Sequence, residues 1–518
     1  MESKILVLDT TLRDGEQVPG AKLNLAEKIE IGRQLSLLNV DYIEAGFSSS
    51  SAGDFAAVQA IAQEVGKADG PVITALARAV RSDIDAVYES VKDASRPMIH
   101  IVLGTSGVHL TKKFKKTPEQ VMQMGVDAVA YAKTLLPEVQ YSPEDATRSD
   151  FEYLWKTVEA VVKAGATVIN IADTVGYAVP EQFGHLIGRI HERLMNLDDR
   201  VVLSVHCHND TGLATANTLA AVKNGANKVE CTVNGIGERA GNAALEEVVM
   251  GIQVRRDYYG AATGINTHEI RRTSRLVSGL MGLDVQVNKA ITGDNAFAHS
   301  SGIHQDGLLK SADVYEIILP ADVGVEGMEL VLTARSGKHA LQNAVEKLGF
   351  TVRDDKELQA LHTRFLTLAD KKKEVYDDDL YYLLKEYLEE TSGEGGQEPV
   401  ALCRFVDFQV VSNTLYPTAV VKIMKGDTEI VESSIGDGPI DAVYSALSKA
   451  AGLQVELKEY KINSVSRGAK ALGRASIQLD YQGRSYYARA IDTDIIKASA
   501  IAFLNGINKI LLEQGAVS

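Results

Sequence analysis

Eight short β-type runs alternate with amphipathic helical patterns through the first 260 residues. The runs are KILVLDT (4–10), YIEAGF (42–47), VITALARA (72–79), MIHIVLGT (98–105), VQYSPED (139–145), TVINIADT (167–174), VLSVHCHND (202–210) and KVECTVNG (228–235). Between them, segments such as NLAEKIEIGRQLSLL and PEQVMQMGVDAVAYAKTLL place apolar residues three and four apart, the spacing of one helix face. A strand, a helix and a second strand pair in parallel through a right-handed crossover. Eight such units in about 250 residues predict an α/β fold closed into a TIM (β/α)8 barrel. An open doubly wound sheet is the rival, and the number of units favours closure.

Polar or charged residues stand at or just past most run ends: Asp9 to Glu16, Glu44, Arg78, Glu144 with Asp145, Asp173 with Thr174, His206 to Asp210, and Glu238 to Asn242. Loops are polar in general, but that does not explain charge within the last residues of so many strands. In a closed parallel barrel these ends share one face, where chemistry is done.

Residues 1–260 therefore read as a catalytic barrel. Residues 261–390 read as a helical linker subdomain, and TSGEGGQEP (391–399) as a flexible linker. Residues 400–518 contain a repeat: TAVVKIMKGDTEIVESSIGDGPIDAVYSALSKAAG resembles RASIQLDYQGRSYYARAIDTDIIKASAIAFLNGIN, with Ile435 matching Ile491, 56 positions on. A duplicated β-plus-helix unit predicts a C-terminal α+β domain with a pseudo-two-fold axis. It suits dimerisation, or sensing of a small ligand between the halves.

The net charge of −15 argues against a nucleic-acid role, which wants a basic patch. The one short basic run, KKFKK (112–116), reads as a solvated loop or as a lure for a phosphate-bearing ligand. The three cysteines, Cys207, Cys231 and Cys403, have no paired spacing, which fits a reducing, cytoplasmic compartment. The N-terminus lacks a signal-peptide layout, and no apolar run reaches the ~20 residues that would cross a bilayer.

HCHND is the strongest local signal. In an extended strand His206 and His208 share one face and Cys207 takes the other. Two imidazoles at a barrel strand's C-terminal end suit a metal. Asp14, after the first strand, can add an anionic oxygen, and Asn242, after the eighth, a neutral one. Strands seven, eight and one are neighbours in a closed barrel, so the four can meet. Asn242 is equally placed to cap a helix, and Asp14 to stabilise a turn beside Gly15. Mixed nitrogen and oxygen ligands with open positions suit Mg²⁺, Mn²⁺ or Zn²⁺, and a chelating 2-oxo acid as the guest. Arg13 can stabilise an oxyanion or enolate, and Glu44 can brace it by a bidentate ion pair. In HSSGIHQDG (299–307), His304 is a candidate acid/base or a plain surface histidine.

Together DTTLRDGEQVPG, YIEAGF, YSPEDATRSD, INIADTVGY, VHCHND, NGIGERAGN and SSGIHQDG resemble the 2-isopropylmalate synthase family of DRE-TIM metallolyases. Homocitrate and citramalate synthases are its siblings. The resemblance covers nearly the whole chain, and the repeat looks like the family's leucine-sensing domain. It implies that acetyl-CoA loses a methyl proton and attacks the keto carbon of 2-oxoisovalerate. Thioester hydrolysis then releases CoA and 2-isopropylmalate. It implies Asp14, His206, His208 and Asn242 as metal ligands and Arg13, braced by Glu44, as the polarising group. His100, Glu144 and Thr174 would line the oxo-acid site. His304 and Tyr315 would act in proton transfer, reaching the barrel of a partner subunit, so a homodimer is expected. Gly436, Gly438, Asp492 and Asp494 resemble the leucine-binding corner, with leucine as a feedback inhibitor.

Pyruvate-using relatives tend to carry a bulky aromatic where this chain has Ser142, and homocitrate synthases often have an arginine where it has Gln140. Both point to 2-oxoisovalerate. Val18 and VLGTSGVH depart from the usual motif wording and bear on pocket shape. The alternatives are a citramalate synthase, a retro-aldol acyl-CoA lyase lacking any need for the duplicated domain, and a metal-binding sensor on a dead barrel. Asp9 and Glu16 have no assigned role.

Overall fold

The computed structural model describes residues 2–299, 314–325, 336–347, 350, 352–371, 380, 383, 384, 387, 402–412, 416–464 and 473–517. They fall into two compact units, one of Met1–Ala298 with Glu316–Glu329 and one of His299–Tyr315 with Leu330–Ser518.

In the first unit all eight runs are strands: β1 (Ser3–Asp9), β2 (Tyr42–Glu44), β3 (Val72–Arg78), β4 (Pro97–Gly104), β5 (Val139–Glu144), β6 (Val168–Asp173), β7 (Val202–Cys207) and β8 (Lys228–Cys231). Each pairs in parallel with the next. β1 closes the ring, with Leu6 opposite Lys228 on β8 and Leu8 opposite Tyr42 on β2. A short β9 (Ala261–Thr263) adds to β1. The strands end earlier than the sequence runs: His208 to Asp210 and Thr232 to Gly235 leave the ladder for the loops that build the site.

Local chemistry starts the helices where the pattern does. Asn24 and Glu27 form a reciprocal capping box before Leu25–Leu37, and Thr117 and Gln120 do so before Pro118–Leu135, where Pro118 takes the first turn. Asp150 caps Phe151–Ala164, which ends on Gly165 at φ 114°.

Alternation along each strand sorts two kinds of interior. Ile43, Ile73, Ile99, Ile101, Val205, Cys207 and Val229 face the helical layer and pack on Ile31, Leu35, Ile61, Ile84 and Val87, all buried; burial of each aliphatic side chain is worth about 1.5–3 kcal/mol. Leu8, Tyr42, Val72, Met98 and Val168 plug the barrel floor. Above them the buried positions turn polar: Gln140, Asn170, Ser204, Lys228 and Glu230, then Glu44, His100, Ser142 and His206.

The second unit carries two three-stranded antiparallel sheets. β10 (Cys403–Val411), β11 (Thr418–Lys425) and β12 (Thr428–Ile435) precede helix Pro439–Ala451. β13 (Glu456–Ser464), β14 (Gly473–Tyr481) and β15 (Arg484–Asp492) precede helix Ile495–Val517. The duplicated β-plus-helix unit is thus three strands and a helix, its first strand lying ahead of the matched sequences. A register shift in each, between Phe405 and Asp407 in β10 and between Leu457 and Glu459 in β13, breaks the two-residue period. Both helices share one core, with Tyr444 stacked on Phe503 at 4.3 Å. Helix Ile495–Val517 has the length and composition to cross a membrane, but Ala498, Ala502, Phe503 and Ile507 are buried in that core.

Candidate active site

The turn after β1 is tight: the N–H groups of Arg13, Asp14 and Gly15 all donate to the Thr10 carbonyl, at 3.1, 2.9 and 3.1 Å. Gly15 is not in a left-handed conformation. A Cβ there would meet Ile236 Cγ1 at 3.2 Å, so closeness rather than turning requires the glycine. The turn aims Asp14, 3% exposed, at β7.

Asp14, His206 and His208 form one compact cluster. Asp14 Oδ2 lies 3.6 Å from His206 Nε2 and 4.0 Å from His208 Nε2, and the two Nε2 atoms are 3.2 Å apart. Asn242 Nδ2 donates to Asp14 Oδ1 at 3.1 Å and to the Ile236 carbonyl at 3.0 Å. Asn242 caps no helix; Ala244 precedes Leu245–Val254. Its loop is held close by glycine: a Cβ on Gly237 (φ 152°) would fall 2.1 Å from Asn242 Nδ2.

A divalent cation fits these residues. His206 Nδ1 faces the Glu230 carboxylate at 3.2 Å, so it carries the proton and Nε2 presents its lone pair to the cluster. Two facing imidazole nitrogens need a proton or a cation between them. His208 Nδ1 and Asn242 Oδ1 are buried without a hydrogen-bond partner among the described residues, an arrangement that calls for an explanation. Burial would raise the Asp14 pKa, but Arg13, His206 and His208 outweigh it and hold the carboxyl at about 2. Burial and the neighbouring His206 push His208 down to about 3, leaving its imidazole neutral.

Arg13 bridges two carboxylates rather than gripping one. Its Nε donates to Glu44 Oε2 at 2.6 Å and its Nη1 to Asp14 Oδ2 at 2.5 Å. The expected bidentate pair with Glu44 is therefore a single contact, because Thr10 Oγ1 also donates to Oε2 at 2.6 Å and His100 Nδ1 takes Oε1 at 2.6 Å. Burial works against the ionised Glu44, but Arg13 and His100 hold it well below the usual carboxylate range.

From Glu44 a chain of contacts runs round the barrel. His100 Nε2 meets Ser142 Oγ at 2.6 Å, Asn170 Nδ2 donates to Ser142 Oγ at 2.8 Å and to Glu230 Oε2 at 3.1 Å, and Glu230 returns to His206. Below it, buried Lys228 donates to Gln140 Oε1 at 2.6 Å, and Gln140 Nε2 to Glu230 Oε1 at 2.7 Å. Sequence reasoning missed Glu230, Lys228 and Asn170. The available signal was parity, since Lys228 and Glu230 sit two apart on the last strand.

His100 is thus wired to Glu44 and Ser142. Glu144 is instead held by Lys113 at 2.7 and 3.0 Å, with His109 Nε2 at 3.4 Å. Thr174 accepts the Asp145 N–H on Oγ1 at 2.9 Å, and its carbonyl accepts from Arg239 at 2.8 Å. His304 lies outside the described residues. Tyr315 belongs to the second unit, 42% exposed. In that unit Gly436 and Gly438 follow β12, Asp492 ends β15, and Asp494 stands between it and the last helix. Asp437 N–H donates to Asp441 at 2.9 Å, Asp494 N–H to Asp492 at 3.0 Å. The two pairs occupy equivalent corners between strand and helix. Asp9 and Glu16 are structural: Asp9 accepts from Thr11 N and Oγ1 at 2.9 Å each, and Glu16 pairs with Lys28 at 2.8 Å.

Comparison with known proteins places each region. The HMGL-like family matches residues 4–277, the homocitrate synthase post-HMGL domain-like family 291–373, and the LeuA allosteric (dimerisation) domain 374–511. A 2-isopropylmalate synthase of a Geobacillus species is 65% identical over 517 residues, covering 99% of this chain and 98% of its own. Those of Dictyoglomus turgidum and Pyrococcus furiosus are each 48% identical, over 99% and 98% of this chain and 99% and 100% of their own.

Proposed function

The chain belongs to the 2-isopropylmalate synthase family, and from that premise we propose that its barrel mouth condenses acetyl-CoA with 2-oxoisovalerate and hydrolyses the thioester. Acetyl-CoA, 2-oxoisovalerate and water become 2-isopropylmalate and CoA. The observation that carries the reading is the meeting of Asp14, His206 and His208 beside an arginine locked between two carboxylates.

Asp14, His206, His208 and Asn242 are the residues that hold the cation, Mg²⁺, Mn²⁺ or Zn²⁺. When bound, such an ion polarises the keto group of the oxo acid as a Lewis acid. Arg13 is fixed by Glu44 before substrate arrives, so its charge stabilises the developing oxyanion without reorganising. His100 is fixed as a wall of the oxo-acid pocket by Glu44 and Ser142. Ser142, small and buried, leaves space for a branched side chain. Glu144 and Thr174 bound the pocket on the β5 and β6 side. Proton transfer falls to His304 and Tyr315 by the motif match. Leucine is the effector of the duplicated domain, at the corners of Gly436, Gly438, Asp492 and Asp494, and the dimer is its working form.

Thiol release from acetyl-CoA in the presence of Mn²⁺ or Mg²⁺, compared for 2-oxoisovalerate, pyruvate and 2-oxoglutarate, tests this. The highest kcat/KM is expected with 2-oxoisovalerate. A preference for pyruvate would make the chain a citramalate synthase in function.

A further inference from the structure

The basic run at 112–116 is the part of the barrel mouth that the reaction above does not use. His109–Phe114 forms a π-helical turn, ended by Lys115 in the left-handed region at φ 53°. Single π turns of this kind gather at functional sites. Phe114 anchors the turn against the barrel core. Gly104 lets His109 sit beneath it, since a Cβ there would lie 2.7 Å from the imidazole ring. Lys112, Lys115 and Lys116 are exposed and have no ion pair among the described residues. Lys113 alone is engaged, on both oxygens of Glu144 at the C-terminal end of β5.

Two features make this patch more than a solvated loop. It concentrates four cations at the mouth of a chain whose net charge is −15, which draws anions to that spot. It also stands across the ring from the cation corner: β4 and β5 lie opposite β8 and β1 in the closed order. A CoA thioester reacts at one end of a long flexible arm and carries its phosphates at the other. With the acetyl end at the cation corner, the opposite wall is where the phosphates can be met.

We propose that the turn 109–116 docks the phosphates of the nucleotide thioester, and that Lys113 is a latch on Glu144. Without thioester, Lys113 holds the Glu144 carboxylate. A phosphate that draws Lys113 away frees Glu144 for the oxo-acid pocket that it bounds. This rests on the reading that acetyl-CoA is the acyl donor.

The test compares acetyl-CoA with S-acetylpantetheine, which lacks the nucleotide phosphates, in the full-length enzyme with Mn²⁺. The variant Lys112→Gln/Lys115→Gln/Lys116→Gln should raise KM for acetyl-CoA by about 10-fold or more, as three part-exposed charge contacts would. It should leave KM for S-acetylpantetheine and 2-oxoisovalerate unchanged. An unchanged KM for acetyl-CoA, or an equal rise for both donors, overturns the docking site. Lys113→Met should raise kcat/KM for S-acetylpantetheine about 2- to 5-fold, the worth of one part-exposed ion pair. No rise overturns the latch. Adenosine 3′,5′-bisphosphate should compete with acetyl-CoA in wild type and lose potency in the triple variant. Equal inhibition by inorganic phosphate at the same concentration would make the patch a free-anion site and overturn its assignment to the thioester. Wild type that turns over no oxo acid would sink the acyl-transfer reading itself, a result distinct from all of these.

Discussion

Two walls of one barrel mouth hold their charges in opposite ways. On the β1, β2, β7 and β8 side, Asp14, Glu44, His206 and Glu230 are buried, and each is tied to at least one other charged or titratable group within 3.6 Å. On the β4 and β5 side His100 and Asp145 are also buried, but the outer pair is loose: Lys113 is 51% exposed and Glu144 24%, joined by one ion pair with His109 3.4 Å from Glu144. A buried charge that loses its partner costs about 3–5 kcal/mol, whereas an exposed pair is worth about 0–1 kcal/mol. The first wall is therefore fixed in geometry before any substrate arrives. The second can exchange partners cheaply. The difference separates the place where bonds are made from the place where a long, charged substrate is received.

The largest effects should come from breaking the fixed wall. Asp14→Asn should weaken Mn²⁺ binding, read by titration calorimetry or the free-ion EPR signal, by at least ~100-fold, since it removes a ligand where loss of an outer partner alone costs 10- to 100-fold. Unchanged affinity would remove Asp14 from the ligand set. Glu230→Leu should fall in that 10- to 100-fold range, because His206 loses the carboxylate that fixes its proton on Nδ1. Glu230→Gln, which keeps an acceptor, should recover part of the loss. If both variants bind Mn²⁺ like wild type, the contact round the barrel braces the fold and does not tune the site.

An intermediate effect should come from Asp9, which is buried at the root of this wall. Burial is the dominant cause that pushes its pKa from the ordinary 3.8 up to about 7, against the two hydrogen bonds from Thr11. Between those values the folded chain keeps a proton that the unfolded chain has released. Stability therefore falls as pH rises through that window. Asp9→Asn lacks the loss while its Oδ1 can still accept from Thr11. Its stability relative to wild type should grow by up to ~4 kcal/mol from pH 4 to pH 7, read from denaturant midpoints. A pH-independent difference would show that Asp9 ionises as an ordinary carboxylate.

What the sequence made legible follows from the range of the forces involved. The eight strands were visible because each carries its own apolar run, and the His206–His208 pair because parity along one strand is local. Glu230 and Lys228 were not. In KVEC they look like the polar face of an ordinary strand, and their partners Gln140 and Asn170 lie 60 to 90 positions away. Only closure of the ring turns that face inward and dry. Glu144 was assigned to the substrate, but its present partner, Lys113, comes from a loop whose π turn leaves no periodic trace. The bidentate Arg13–Glu44 pair was a fair expectation for two residues and failed because Thr10 and His100 compete for the same carboxylate.

The smallest predicted effect is the sharpest test of the comparison between the walls. Lys113→Met removes one partner of a part-exposed pair and leaves the aliphatic stem to cover Phe114. Glu144 then faces water rather than a dry interior, so no charge is stranded. The unfolding free energy should shift by no more than about 1 kcal/mol, and Mn²⁺ affinity should stay at the wild-type value. Unfolding midpoints and the same Mn²⁺ titration measure both. A loss of metal affinity would mean that the exposed wall reaches the fixed one, through Glu144 or the chain of His100 and Ser142 beside it. The two walls would then be one coupled device, and the soft side would set the state of the hard one.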